Sequence, residues 1–376
     1  MSKTVFIGSD SGSVQAVDAE TGTETWTASV GSILRASPTV VDGRLYIGGG
    51  GQKIYALDAA TGAEEWTFTT GGSTDNVSPT IVDGRVFVGS YDNNVYAVDA
   101  ATGNEIWSYT TGANTDRSPA EVVDETVYIG SHDGKLYALD AATGDEEWRF
   151  ATGGDGGVRS SPAVKDGTVY FGGLDDNVYA VDADTGSEEW SISTGGNVQC
   201  SPVVVDGTVY IASDDFNLYA LDASDGSERW RFTASTNWPR SSPSVVGGTV
   251  YVGLDSELYA LDAATGSEEW QFSAGGTTRP APTVERGTVY MASENKNLFA
   301  VDAATGNEVW SFATDGWVYS SPTVAEMDGS SMGSRVELRA LGHHDALSGT
   351  GPTTIVRDLR HHNEDGRRRS MMGWSA

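Results

Sequence analysis

The chain has little with which to staple itself together or to grip a polyanion. One cysteine, Cys200, in 376 residues cannot form an intramolecular disulfide, so the fold must rest on packing, and the thiol reads as buried and inert. Basic residues are scarce: 23 Lys and Arg stand against 53 Asp and Glu, a net charge of −30. That balance disfavours nucleic acid and anionic membranes as partners. No apolar run approaches the ~18 residues of a membrane span, so none is expected. The first residues, Met1-Ser2-Lys3-Thr4-Val5-Phe6-Ile7, lack the basic-then-apolar order of an export signal. As encoded the chain reads as cytoplasmic; because it starts in mid-repeat, an upstream start carrying a signal would place it outside the cytoplasm.

What is present is a repeat. Ala-x-Asp-x-x-(Thr/Asp)-Gly-x-x-x-Trp occurs eight times, ending at Trp26, Trp66, Trp107, Trp148, Trp190, Trp230, Trp270 and Trp310, with spacings of 40 to 42 residues. A period near 40 with short alternating apolar runs and fixed turn residues is the pattern of four-stranded propeller blades; solenoid helices would add an inner period of 3.6. In the unit from Ser161 to Ile192, strands are expected at 161–164, 168–172, 177–181 and 188–192. Lys165-Asp166-Gly167 suits a tight hairpin and Asp184-Thr185-Gly186 a flexible corner. The eight Trp are assigned a structural role, each inserting between neighbouring blades and removing ~150–250 Å² from water; truncation to Ala should cost roughly 3–5 kcal/mol. The fold class is therefore all-β, an eight-bladed β-propeller of four-stranded antiparallel blades.

Inner strands open at Pro38, Pro79, Pro119, Pro162, Pro202, Pro243, Pro282 and Pro322, whereas the chain begins at Val5-Phe6-Ile7-Gly8, a second strand. The first blade lacks its inner strand and residues 321–325 supply a spare one, so the ring is expected to close by pairing the two ends of the repeat. Residues 1–325 form this domain. From 326 to 376 the repeat stops: four of the five His and four of the six Met fall there, and seven Arg balance seven acidic residues, leaving the whole −30 to 1–325. That segment reads as a non-repeat, disordered tail, or as a reading-frame slip out of a continuing repeat. Its pairs His343-His344 and His361-His362 have no supporting ligand spacing, and no metal site is assigned.

The unit Ala56-Leu57-Asp58-Ala59-Ala60-Thr61-Gly62-Ala63-Glu64-Glu65-Trp66 resembles the tryptophan-docking motif of pyrroloquinoline-quinone-like propellers. The resemblance runs through residues 1–325. It implies the propeller fold and a superfamily that holds quinone-dependent dehydrogenases, a scaffold propeller of outer-membrane protein assembly, and uncharacterised haloarchaeal repeat proteins; the acidic composition likewise resembles that of proteins from salt-loving organisms. Fold alone does not choose among these functions. The dehydrogenases of the family have a vicinal disulfide, a calcium site, a catalytic Asp and long inter-blade insertions. Here there is one Cys, blades of 40 to 42 residues leave no insertions, and Asp92, Asp133 and Asp175 fall in strand-connecting turns where Asp is a turn former. No cofactor and no catalytic residue is assigned.

Three residues before each repeat Pro stand Arg35, Asn76, Asp116, Arg159, Gln199, Arg240, Arg279 and Tyr319, with Arg117 one place further on and Trp238 and Trp317 in the same loops. In a propeller these positions ring one mouth of the central channel. Guanidinium groups beside aromatics suit a carboxylate, phosphate or sugar acid. The competing reading has the same Arg pinning loops through acidic turn residues such as Asp10, Asp133, Asp175, Asp214 and Asp255. The sequence thus points to a monomeric, non-catalytic scaffold or binding protein for a protein partner or small anionic ligand, the alternative being a quinone-dependent oxidoreductase-like protein that binds a cofactor at the channel mouth.

Overall fold

The structure is a computed structural model that describes residues 2–115, 117–154, 156–233 and 241–327. The chain divides into two compact units, 1–346 and 347–376. The second unit lies outside the described residues, as do the paired histidines and all of the 326–376 tail but Glu326 and Met327.

All regular structure among the described residues is β: eight antiparallel sheets of four strands. Blades 2 to 8 are continuous in sequence, at 39–69, 80–110, 121–151, 163–193, 203–233, 244–273 and 283–313. Blade 5 carries Ala163–Lys165, Thr168–Gly172, Asn177–Asp182 and Glu188–Ser193 from the innermost strand outward. The second strand has the expected bounds, the third and fourth each run one residue further, and the innermost starts two residues later and is shorter. Pro162 precedes it, and a residue without an N–H cannot extend the ladder. Each innermost strand packs against those of the two neighbouring blades, so the strands run round one ring.

Thr168–Gly172 is buried along its whole length, because the second strand is covered on both faces by adjacent blades and so reads as a continuous apolar run. The outermost strand alternates exposure. Every blade carries a bulge between its third and fourth strands, so that in blade 5 Ala180 faces Trp190 while Val181 faces Glu188. A bulge re-aims the side chain beside it, and here that side chain is the repeat Trp set against a small Ala.

Hairpins between first and second strands turn on paired positive φ angles, Asp166 (50°) with Gly167 (85°) in blade 5. That is the backbone twist of the tight turn favoured between antiparallel strands.

The ring closes as the sequence implies. Ser2–Gly8 pairs antiparallel with Thr323–Met327, in register Val5 to Val324, so blade 1 takes its innermost strand from the far end of the repeat. The closing strand runs two residues beyond the repeat boundary read at 325. Ser13 and Ser9 hydroxyls bind the Asp315 carboxylate across the seam; burial opposes its charge, but these bonds hold its pKa below the ordinary carboxylate value.

Candidate functional site

The two ends of the ring do different work. At one end every repeat Trp donates its indole N–H to a backbone carbonyl of the next blade's motif, Trp148 to Ala183 and Trp190 to Ala223 at 2.9 Å each. The cycle ends with Trp310 donating to Ala19 of blade 1 at 3.1 Å. The ring of Trp148 lies against Gly186, where an added Cβ would meet Cε3 at 2.5 Å. Glycine is required there twice over, because φ is +66°. In most blades a second-strand Tyr shares the same carbonyl, as Tyr170 does with Trp190 at Ala223; Phe6 and Phe87 take that place beside Trp26 and Trp107 without a hydroxyl. The motif Asp caps its own turn, Asp182 accepting from the Thr185 hydroxyl and N–H.

The opposite end carries the inter-blade loops and the hairpins between second and third strands. Main-chain bonds tie the two together, in blades 1 to 5 by Asp10 N–H to the Trp317 carbonyl, Gly50 to Ile33, Tyr91 to Ser73, His132 to Asn114 and Leu174 to Gly157, at 2.9 to 3.0 Å. Just inside, a belt of bonds runs between innermost strands, Thr39 Oγ1 to the Pro79 carbonyl at 2.8 Å and Ser321 N–H to Ser37 Oγ at 2.8 Å across the seam. Loop positions at this end are thus fixed by backbone, which leaves their side chains free to differ.

Arg35, Asn76, Arg117, Arg159, Gln199, Arg279 and Tyr319, from seven different inter-blade loops, line one cavity of about 330 Å³. Of the other positions read from the sequence, Asp116, Trp238 and Arg240 lie outside the described residues. Trp317 sits on the rim, 52% exposed. Within the cavity the two guanidinium groups of Arg35 and Arg279 flank the Tyr319 ring at 5.2 and 5.6 Å from its centroid, a range in which a cation is drawn to a ring face.

Each is also anchored. Arg35 Nε donates to Asp10 Oδ1 at 3.2 Å, with Asp75 3.9 Å from its Nη1, and Arg279 Nε lies 2.5 Å from Glu294 Oε1. Burial lowers the Arg35 pKa, but Asp10 and Asp75 outweigh it and hold it above its ordinary value. Arg159 reaches His132 Nε2 at 3.2 Å and Gln199 Oε1 at 3.3 Å, and Gln199 in turn donates to Asp214 at 2.7 Å.

Of the turn acids that could pin these loops, Asp10 does pair with an Arg. Asp133 takes Lys135 and the Tyr137 hydroxyl, and Asp175 takes the Tyr179 hydroxyl. Asp92, Asp133 and Asp175 all lie in turns. Sequence reasoning missed His132 and Glu294 as partners; the signal available was their shared place, one residue after the second strand's terminal Ser131 and Ser293, the place that Asp10 and Asp214 occupy.

A ring of eight such blades, tied at one end by indoles and opening at the other into an arginine-lined cavity, is a tryptophan-docked β-propeller. The chain belongs to the outer membrane protein assembly factor BamB family, whose model matches residues 10–155, 137–279 and 254–329. Among solved structures it is similar to BamB from Moraxella catarrhalis (21% identity, 80% of this chain and 91% of that one, TM-score 0.67). It is also similar to the quinohemoprotein alcohol dehydrogenase ADHIIG from Pseudomonas putida HK5 (18%, 78% and 68%, 0.67). A third likeness is to the computationally designed Ika8 protein (17%, 78% and 91%, 0.67). A search of curated proteins finds no match. At these identities the likenesses show the fold, and the same fold serves an assembly factor, an oxidoreductase and a design.

No helix among the described residues is long and apolar enough to cross a membrane. A calcium–quinone pair would need a different donor set. A divalent cation needs grouped oxygen donors, but no cluster of three or more His, Cys, Asp or Glu is placed to hold one among the described residues, and the cavity lining is cationic. A vicinal disulfide needs two cysteines and the chain has one. The described residues do not fit that pair.

Proposed function

We propose that this protein is a non-catalytic propeller scaffold that presents its loop-bearing mouth to a partner carrying carboxylate or other anionic groups. The observation that carries the reading is the gathering of Arg35, Arg117, Arg159 and Arg279 round one cavity in a chain with 30 more acidic than basic residues. Asp10, Asp75 and Glu294 offset part of the repulsion between these cations, and the five fixed donors of each guanidinium suit paired bonds to planar anions. Membership of an assembly-factor family supports a protein partner, and the small cavity supports a single anionic group entering it.

The test is a thermal-shift screen in molar salt against sugar acids, phosphates and dicarboxylates, run on the wild type and on Arg159→Gln with Arg279→Gln. A stabilisation by an anion that disappears in the double variant supports the reading. Equal stabilisation of both proteins removes the mouth as the site.

A further inference from the structure

A small anion held among the arginines would leave the rim of the cavity bare, and the rim carries apolar as well as charged side chains. Of the large apolar side chains exposed among the described residues, Ile33 (41%), Tyr91 (40%) and Trp317 (52%) all lie in loops at the mouth end. Ile33 and Trp317 stand two residues before Arg35 and Tyr319 in consecutive inter-blade loops. Those loops are neighbours, since Arg35 lies 5.2 Å over the Tyr319 ring. The backbone holds both rim positions: the Ile33 and Trp317 carbonyls accept from Gly50 and Asp10 at 2.9 and 3.0 Å. Two exposed apolar side chains therefore form a ledge on the side of the cavity where Arg35 and Arg279 stand beside Asp10, Asp75 and Glu294, in a chain with 30 more acidic than basic residues.

Resting on the proposed binding function, we propose that the mouth recognises an acidic peptide segment bearing one bulky apolar side chain: its carboxylates meet Arg35 and Arg279 while the apolar group lies on Trp317 and Ile33. Charge complementarity selects the segment locally, because the remainder of the surface repels it. The same repulsion gives the site a signature. Adding salt screens the long-range field of the −30 chain while contact pairs and apolar burial persist, so affinity rises between tenth-molar and molar salt.

The experiment is fluorescence anisotropy of dye-labelled Asp-Glu-Phe-Glu-Asp with the full chain in molar potassium chloride. Asp-Glu-Gly-Glu-Asp and Asn-Gln-Phe-Gln-Asn are the controls. Both controls are expected to bind about tenfold or more weaker. Trp317→Ser and Ile33→Ser should weaken the Phe peptide and leave the Gly peptide unchanged, whereas Ile106→Ser, on an outermost strand, changes neither. Equal binding of the Phe and Gly peptides, indifferent to Trp317→Ser, overturns the ledge while leaving an anionic mouth in place. If neither acidic peptide binds and no anion stabilises the chain, the proposed function falls with it. Arg35→Gln with Arg279→Gln should abolish binding of both acidic peptides. Should that variant melt below the wild type, competition by inorganic phosphate reads the same contact: displacement of the Phe peptide supports the proposal, and no displacement overturns it.

Discussion

Replacing Gly186 with Ala probes the dock at its tightest point. The residue sits at φ +66°, and a Cβ there would meet Trp148 Cε3 at 2.5 Å and Cδ2 at 2.7 Å. The left-handed backbone costs about 1–2 kcal/mol for any residue with a Cβ. The clash forces the indole outward, an overpacking loss of roughly 1–3 kcal/mol. The bond from Trp148 to the Ala183 carbonyl, 2.9 Å, is then stretched, a further loss of about 1 kcal/mol. The sum is a destabilisation of about 3–6 kcal/mol, from the same terms. Gly167→Ala in the same blade is the control, since φ is +85° there with nothing within 4 Å, so it carries only the backbone cost of about 1–2 kcal/mol. Urea denaturation in molar potassium chloride, extrapolated linearly, measures both. If the two variants lose equal stability within ~0.5 kcal/mol, the indole is not docked as described.

Glu125 occupies, at φ 69°, the second turn position that is Gly in most other blades; Glu125→Gly should stabilise the chain by about 0.5–1 kcal/mol, and urea denaturation that shows a loss would contradict this. Deleting residues 321–376 removes the closing strand and should lower the melting temperature far more than deleting 331–376; equal losses would sink the closure argument. Burial, followed by the hydrogen bond and charge of Asp215, raises the Tyr219 pKa to about 12, and burial with Glu146 does the same for Tyr109. The folded chain therefore holds these protons more tightly than the unfolded chain, whose tyrosines titrate near ~10. The stabilisation is complete below that pH and is lost as pH rises towards 12. Melting temperatures should fall across this window and tyrosinate absorbance should lag behind a free-tyrosine curve; ionisation of all fifteen tyrosines near 10 in the folded chain would refute it.

The features legible in the sequence are those that every blade must repeat. Trp190, Gly186 and Pro162 recur because each blade solves the same packing problem, so the strands, the blade count and the closure at Val324 followed from periodicity alone. Positions three before each Pro were legible as one ring because the period places them there, and seven inter-blade loops do bring a residue from that stretch into one cavity. What the period does not encode stayed hidden. Tyr170 shares the Ala223 carbonyl with Trp190, a three-dimensional coincidence with no sequence spacing of its own. Asp315 stands where most other loops carry Gly and locks the seam through Ser9 and Ser13, a departure from the repeat that the closed ring explains. The ledge of Ile33 and Trp317 was equally invisible, because exposure of single apolar residues is ordinary until their loops are seen side by side.

Whether the mouth binds acid or a redox cofactor is decided by one titration. Isothermal titration of the full chain in molar potassium chloride compares Asp-Glu-Phe-Glu-Asp with pyrroloquinoline quinone plus calcium. Saturable heat from the peptide, lost in Arg35→Gln with Arg279→Gln, and no saturable heat from the quinone is the predicted result. Stoichiometric binding of quinone with calcium, and none of the peptide, would contradict it.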